Sequence, residues 1–148
     1  MTMNAIYFDM DGTIANLYGN PDWLTLLRAY DPTPYATATP LVNMNSLARK
    51  LNALRKAGWH IGIVSWLSKC STADYDKAVT DAKLRWLDKH LHSVEWDEIV
   101  IVPYGTPKQE IVNFPFGILF DDEEKNRSAW NGTAYDVGAI LETLRSLG

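Results

Sequence analysis

Short, unbroken apolar runs alternate with helical patterns along this chain, and this alternation constrains the fold most. The runs rich in β-forming residues are 5–8, 59–65, 98–102 and 116–120, with a weaker run at 133–136. Strands without alternating polar residues are typical of a parallel sheet buried on both faces. The pattern predicts an α/β fold, a three-layer αβα Rossmannoid with a central parallel sheet of about five strands.

Helical spacing of apolar residues fills the gaps between these runs. The predicted helices are 21–30, 45–57, 71–91, a short helix after Pro107, and 137–147. In the second, Leu47, Leu51 and Leu54 recur at helical spacing. Ser71 begins a sequence that resembles a capping box. Several prolines predict that 31–41 is a loop.

Length and composition exclude several classes of protein. The 148 residues suit one domain, and the net charge of −4 comes without a dense basic patch, which argues against bulk nucleic-acid or membrane binding. The single cysteine, Cys70, excludes a disulfide framework within one chain. No apolar run approaches the ~20 residues that span a bilayer. The first residues lack the basic region of a signal peptide, so we expect a cytoplasmic protein without a membrane partner.

Polar residues follow the predicted strands at their carboxyl ends. Asp9 and Asp11 follow the first strand, Ser65 ends the second, and Asp121 and Asp122 follow the fourth. Parallel strands bring these ends to one edge of the sheet, where ligands bind in such folds. Four converging carboxylates need a cation, and oxygen ligands without His or Cys favour Mg²⁺. Because Mg²⁺ commonly shares its ligand shell with phosphoryl oxygens, the pattern predicts a phosphorylated substrate.

The order of these motifs resembles the haloacid dehalogenase (HAD) superfamily of phosphohydrolases. The matching segments are IYFDMDGT at 6–13, IGIVS at 61–65, Lys108 within YGTPKQE, and GILFDD at 117–122. The resemblance spans nearly the whole chain, and DxDGT after a strand is its most specific part. It implies a phosphoric monoester hydrolase of capless or minimally capped type.

The resemblance also implies a role for each matching residue. Asp9 would be the nucleophile that forms an aspartyl-phosphate, and Asp11 the general acid and base. Asp9, the backbone carbonyl of Asp11 and Asp121 would bind Mg²⁺, with Asp122 supporting the metal site. The residues expected to bind phosphate are Gly12, Thr13, Ser65, Trp66 and Lys108.

Each assignment has a structural alternative. The Asp9–Gly12 sequence is compatible with an Asx turn, Ser65 with a helix cap, and Lys108 with a solvated helix start. An acidic helix start would also explain the aspartates before Glu123 and Glu124, although that interpretation suits the two glutamates better. His60, His90 and His92 show no metal-ligand spacing, and we take them as structural.

The chain has little room for a cap, so we expect a single catalytic domain, 1–148, with a small flap or mini-cap insert at about 14–44. Such a site is open, or closed by homo-oligomerisation. Aromatic residues in or near the insert are Tyr18, Trp23, Tyr30 and Tyr35. They either stack on a nucleobase or pack the insert onto the body.

A nucleotidase is therefore the leading specific hypothesis. The alternatives are a phosphatase acting on nucleic-acid ends or phosphoproteins, a phosphotransferase, and a non-catalytic protein that binds a phosphorylated ligand. A nucleic-acid phosphatase would be expected to carry the basic surface that this composition lacks.

Overall fold

Residues 3–147 are described by a computed structural model, in which a five-stranded parallel sheet carries helices on both faces. The strands are β1 (Ala5–Phe8), β2 (Ala15–Asn16), β3 (Thr39–Pro40), β4 (His60–Trp66), β5 (Glu98–Val102), β6 (Ile118–Phe120) and β7 (Thr133–Tyr135). The α-helices are α1 (Trp23–Arg28), α2 (Thr33–Ala36), α3 (Met44–Lys56), α4 (Ala73–His90), α5 (Glu124–Ala129) and α6 (Ile140–Leu147). Short 3₁₀ turns lie at Leu17–Gly19, Lys108–Glu110 and Val137–Ala139.

The order of strands in the main sheet is β5-β4-β1-β6-β7, and every neighbouring pair is parallel. The chain fills one side of β1 with β4 and β5 and then crosses to the other side for β6 and β7. Ligands in open α/β sheets bind at the carboxyl ends of strands beside such a change of direction. The ends of β1, β4 and β6 are therefore adjacent, as the sequence predicts.

Alternating side chains divide the core between the two faces of the sheet. On one face Phe8 and Ile63 pack against α3, α4 and α6 through Leu51, Trp86 and Leu144. The residues packed on the opposite face are Tyr7, Val64, Leu119, Val112 and Trp130. A helix or turn packed on one face of the sheet therefore reaches the carboxyl ends of the strands from that face.

A third apolar cluster packs the segment 17–35 against α4. Leu17, Leu27 and Tyr35 pack against Tyr75 and Val79 of α4. The contact places α1 and α2 over the carboxyl end of the sheet, beside the first half of α4.

Two local predictions are wrong. The segment 31–41 contains α2 and β3, because Pro32 and Pro34 stand at the start of α2, where a missing N–H leaves no helical hydrogen bond unmade. The cap of α4 is Thr72, whose side chain accepts a hydrogen bond from Tyr75 N. Ser71 instead donates to Asp76.

No helix within residues 3–147 is both long and apolar enough to cross a membrane.

We expect Leu51→Ala to lower the free energy of unfolding by about 2–5 kcal/mol, because Leu51 is fully buried beneath the sheet. Urea denaturation followed by tryptophan fluorescence measures the loss. Arg49→Ala, on the exposed face of the same helix, is the control and should change stability by less than about 0.5 kcal/mol. Equal losses in the two variants would contradict the assignment of this face to the core.

Candidate active site

Asp9 lies where β1 ends, and its backbone still belongs to the sheet. Its amide donates to the carbonyl of Phe120 at 2.9 Å, which extends the pairing with β6 by one residue. The chain then turns sharply, and the amides of Thr13, Ile14 and Ala15 all point to the carbonyl of Met10 at 2.9–3.1 Å. The turn therefore directs Asp9 and its neighbours toward the carboxyl end of the sheet.

Gly12 allows the close packing of this turn. Its φ of +79° lies in the left-handed region, where residues with a Cβ are strained. A Cβ at this position would also collide with the carboxylate of Asp122 and lie 2.9 Å from the Tyr18 ring. We therefore assign Gly12 a steric role that the DxDGT pattern requires, and direct phosphate binding by this residue stays a prediction.

Three carboxylates gather around the end of β1. Asp9, Asp121 and Asp122 each place one oxygen within 4.8 Å of the others. Thr13 connects them, because its hydroxyl donates to Asp9 Oδ2 at 3.0 Å and accepts from the Asp122 amide at 3.1 Å. A cluster of hard oxygen donors at this spacing fits a divalent cation such as Mg²⁺.

Lys108 is the cation that the structure places in this cluster. Its Nζ donates to Asp9 Oδ1 at 3.0 Å and to Asp121 Oδ2 at 2.7 Å, and the side chain is 3% exposed. The ammonium also lies 5.2 Å above the ring of Trp66. Burial alone lowers the pKa of Lys108, but the charges of Asp9 and Asp121 outweigh burial and hold the pKa above its usual range.

Asp121 has further partners that the sequence did not reveal. The buried amide of Asn126 donates to its Oδ2 at 3.2 Å, and Arg127 donates to its backbone carbonyl at 3.0 Å. Both residues lie on α5, whose first residues follow the acidic pair directly. The one sequence feature that could have indicated Asn126 and Arg127 is the start of a helix a few residues after the strand.

Asp121 and Asp122 have raised pKa values. Desolvation, reinforced by the charge of Asp9, raises the pKa of Asp121 to about 6 and that of Asp122 to about 7. Lys108 opposes the shift at Asp121 without removing it. The folded chain thus concentrates more negative charge here than Lys108 neutralises, which favours binding of a further cation.

Asp11, two residues from Asp9, has a different environment. Its Oδ2 accepts a hydrogen bond from Lys83 at 2.8 Å, and its side chain lies outside the three-carboxylate cluster. Desolvation and the charge of Asp9 raise the pKa of Asp11, while Lys83 opposes them. Lys83 was not among the residues predicted for the site, although its position in the sequence is a signal. It lies four residues after Val79 and three before Trp86, both in the apolar stripe of α4.

Ser65 and Trp66, both predicted to bind phosphate, occupy different positions at the end of β4. Ser65 is fully buried, accepts a hydrogen bond from Lys83 at 2.6 Å, and is not among the residues that line the cavity beside Asp9. Trp66 lines the cavity and donates through its indole N–H to the carbonyl of Thr106. Contact between Ser65 and phosphate stays a prediction.

A cavity of about 610 Å³ opens beside Asp9 and Asp11. Its aromatic and charged lining residues are Tyr18, Trp23, Tyr35, Trp66, Tyr104, Arg28, Lys69, Lys108 and Glu123. Tyr30 is not among them; it packs against Tyr75 with ring centroids 5.6 Å apart. The cavity has room for a small organic molecule with its phosphate at Asp9.

Lys108→Met should destabilise the protein in the presence of a chelator, because it leaves two carboxylates without their buried cation. We expect a loss of about 3–5 kcal/mol near neutral pH, measured by urea denaturation. The control is Lys69→Met, which removes an exposed cation from the same cavity and should cost less than about 0.5 kcal/mol. Unchanged stability in Lys108→Met would show that Lys108 does not neutralise the cluster.

Stability should also depend on pH through Asp122. Its raised pKa means that the folded chain holds the proton more tightly than the unfolded chain, so the contribution of this group falls as pH rises from about 4 to about 7. Asp122→Asn lacks the titrating group. Measured with a chelator present, its melting temperature should therefore rise relative to that of the parent protein as pH increases through this range. A difference that does not vary with pH would contradict the shift.

Comparisons with known proteins agree with this geometry at the level of the fold. No protein-family model matches the chain. No curated protein matches its sequence. Among solved structures, D,D-heptose 1,7-bisphosphate phosphatase from B. bronchiseptica, complexed with magnesium and phosphate, superposes with a TM-score of 0.60 at 16% identity, over 99% of this chain and 100% of that one.

Two further structures give similar values. A candidate HAD-like phosphatase from Mesorhizobium loti has a TM-score of 0.61 at 15% identity, over 99% of this chain and 88% of that one. The heptose bisphosphate phosphatase from Burkholderia thailandensis has a TM-score of 0.58 at 13% identity, over 97% and 99%. The chain therefore has the three-layer fold of the HAD-like phosphatases, as the order of its motifs predicted.

Proposed function

We propose that this protein is a Mg²⁺-dependent phosphatase that hydrolyses a phosphate monoester through an aspartyl-phosphate on Asp9. The observation that carries the proposal is the setting of Asp9, which is buried at the end of β1 and held by Lys108 and Thr13. Asp121 and Asp122 lie within 4.8 Å. The HAD-like fold and the order of the motifs support the same reaction class.

In the first step a carboxylate oxygen of Asp9 attacks phosphorus, and the bond from phosphorus to the ester oxygen breaks. The leaving oxygen takes a proton from Asp11, which faces the same cavity. Covalent catalysis of this kind divides a difficult hydrolysis into two easier displacements. Lys108 stabilises the negative charge that gathers between Asp9 and the phosphoryl group.

In the second step water attacks phosphorus and gives its proton to Asp11, and the bond between phosphorus and Asp9 breaks. Inorganic phosphate leaves, and both aspartates return to their starting states. Asp9, Asp121 and Asp122 would hold Mg²⁺, with the Asp11 carbonyl as the expected fourth protein ligand. When bound, the ion supplies charge neutralisation for the phosphoryl oxygens.

Asp9→Asn should lower kcat by about a thousandfold or more, because an amide cannot act as the nucleophile. Release of inorganic phosphate from p-nitrophenyl phosphate with Mg²⁺ measures the effect, and chelation should abolish release by the parent protein. Asp81→Asn, an exposed position on α4, is the control and should keep full activity. Undiminished turnover by folded Asp9→Asn would exclude the proposal.

The aromatic cavity supports a nucleotide as the substrate within this class. Trp23 and Tyr18 pack edge to face with centroids 4.9 Å apart, and Tyr35 and Tyr104 line the same cavity. Such rings stack on a nucleobase, and the volume of about 610 Å³ accommodates a nucleoside beside Asp9. The insert, about 14–44, would then serve as a minimal cap that contributes most of these rings.

Trp23→Leu should raise KM for nucleoside monophosphates by about tenfold, since stacking on one base is worth about 1–3 kcal/mol. KM for ribose 5-phosphate, which lacks the base, should stay within about twofold, because that substrate cannot use the ring. Tyr30→Leu, an aromatic outside the cavity lining, is the control. A panel that adds phosphorylated sugars, phosphopeptides and nucleic-acid ends tests the alternatives, and a preference for any of these over nucleotides would contradict the nucleotidase assignment.

A further inference from the structure

Lys83 is more deeply buried than Lys108, the other lysine at the site, and the reaction described above does not use it. The side chain is 1% exposed and extends from the middle of α4 to the carboxyl ends of β1 and β4. Its Nζ donates to Asp11 Oδ2 at 2.8 Å, Ser65 Oγ at 2.6 Å and the Trp66 carbonyl at 2.7 Å. An ammonium has three hydrogens, so these partners take all of them.

The remaining side of this ammonium is closed by the insert. The ring of Tyr35 lies 5.2 Å from Nζ, and Lys83 is not among the residues that line the cavity. With no free N–H and no access to the cavity, Lys83 does not contact a substrate bound there. Any effect on the reaction must pass through the groups that it holds.

Two of these groups belong to the end of β4 and hold Lys83 in place. Ser65 is fully buried, and the Trp66 carbonyl lies on the backbone of the sheet, so neither moves easily. The third group, Asp11, faces the cavity with a side chain that is 15% exposed. Within the described residues, the Asp11 carboxylate accepts its one hydrogen bond from Lys83, at Oδ2. Oδ1 is thereby left for the proton that passes to the leaving group.

We propose that Lys83 is a positioning residue that anchors Asp11 to β4 and presents Asp11 Oδ1 to the ester oxygen of the substrate. The proposal rests on the phosphatase function proposed above and adds a residue outside the matching motifs. In this proposal Ser65 holds Lys83, and this role explains why Ser65 is completely buried.

The effect of a Lys83 substitution on kcat/KM should depend on the leaving group if Lys83 positions Asp11, and should not if Lys83 only supports the fold. A nitrophenolate departs almost without protonation, whereas the alkoxide of glycerol phosphate needs a proton from Asp11. A general acid typically contributes about 10²–10⁴ in rate, so Lys83→Met should lower kcat/KM by about a hundredfold for glycerol phosphate and by less than about tenfold for p-nitrophenyl phosphate. The inhibition constant of inorganic phosphate should change by less than about threefold, because Lys83 does not contact phosphate.

A double-mutant cycle completes the test. In the Asp11→Asn background, Lys83→Met should cause no further loss with p-nitrophenyl phosphate, since the group through which it acts is absent. Lys89→Met, at an exposed position on the same helix, is the control for loss of a lysine. Circular dichroism and melting temperature verify folding, and Lys83→Gln, which keeps a hydrogen-bond donor, replaces Lys83→Met if that variant does not fold.

Equal losses for the two substrates, or the same loss in both backgrounds, would show that Lys83 only supports the fold. A large rise in the inhibition constant of phosphate would show that it binds the phosphoryl group directly. Either result overturns this proposal and leaves the phosphatase function intact. A parent protein that hydrolyses neither substrate with Mg²⁺ would instead refute the phosphatase function and, with it, the role of Lys83.

Discussion

The pairing of buried carboxylates with two buried lysines is the interaction on which the site depends. Isolated charges are costly to bury, and each of these lysines is at most 3% exposed. Lys108 bridges Asp9 and Asp121, while Lys83 holds Asp11. Without these cations the aspartates would repel one another or take up protons, so the lysines are a condition for assembling the acidic end of the sheet.

The two lysines approach from opposite faces of the sheet, and the pleat of β4 explains why. Ser65 points to the face covered by α3, α4 and α6, where Lys83 lies, and Trp66 points to the other face, where its ring packs beside Lys108. Asp9 and Asp11 are only two residues apart, but each thereby has its own cation. That difference in environment suits the two roles that we propose for Asp9 and Asp11, nucleophile and proton carrier.

Local sequence signals were sufficient to predict the parallel sheet and the positions of some of the candidate site residues. Residues that follow strands directly, such as Asp9 and Asp121, could be placed because parallel strands align their carboxyl ends. The contacts of Asn126 and Lys83 could not be predicted from the sequence. They depend on how a helix packs against the sheet, and the residues near each position in the sequence do not determine that packing. The same limit applies to 31–41, where three prolines predicted a loop but α2 packs through Tyr35 against α4.

The sequence by itself determined the parallel sheet, the order of the motifs and the need for a cation among converging acids. Periodicity and strand ends are encoded by near neighbours, so they can be read along the chain. Only the tertiary structure decided that Lys83 donates a hydrogen bond to Asp11 and another to the buried Ser65, and that Trp23 lines the cavity while Tyr30 does not. Those outcomes depend on packing between residues distant in sequence. That packing determines which charged side chains are buried and which opposite charges offset the cost of burying them.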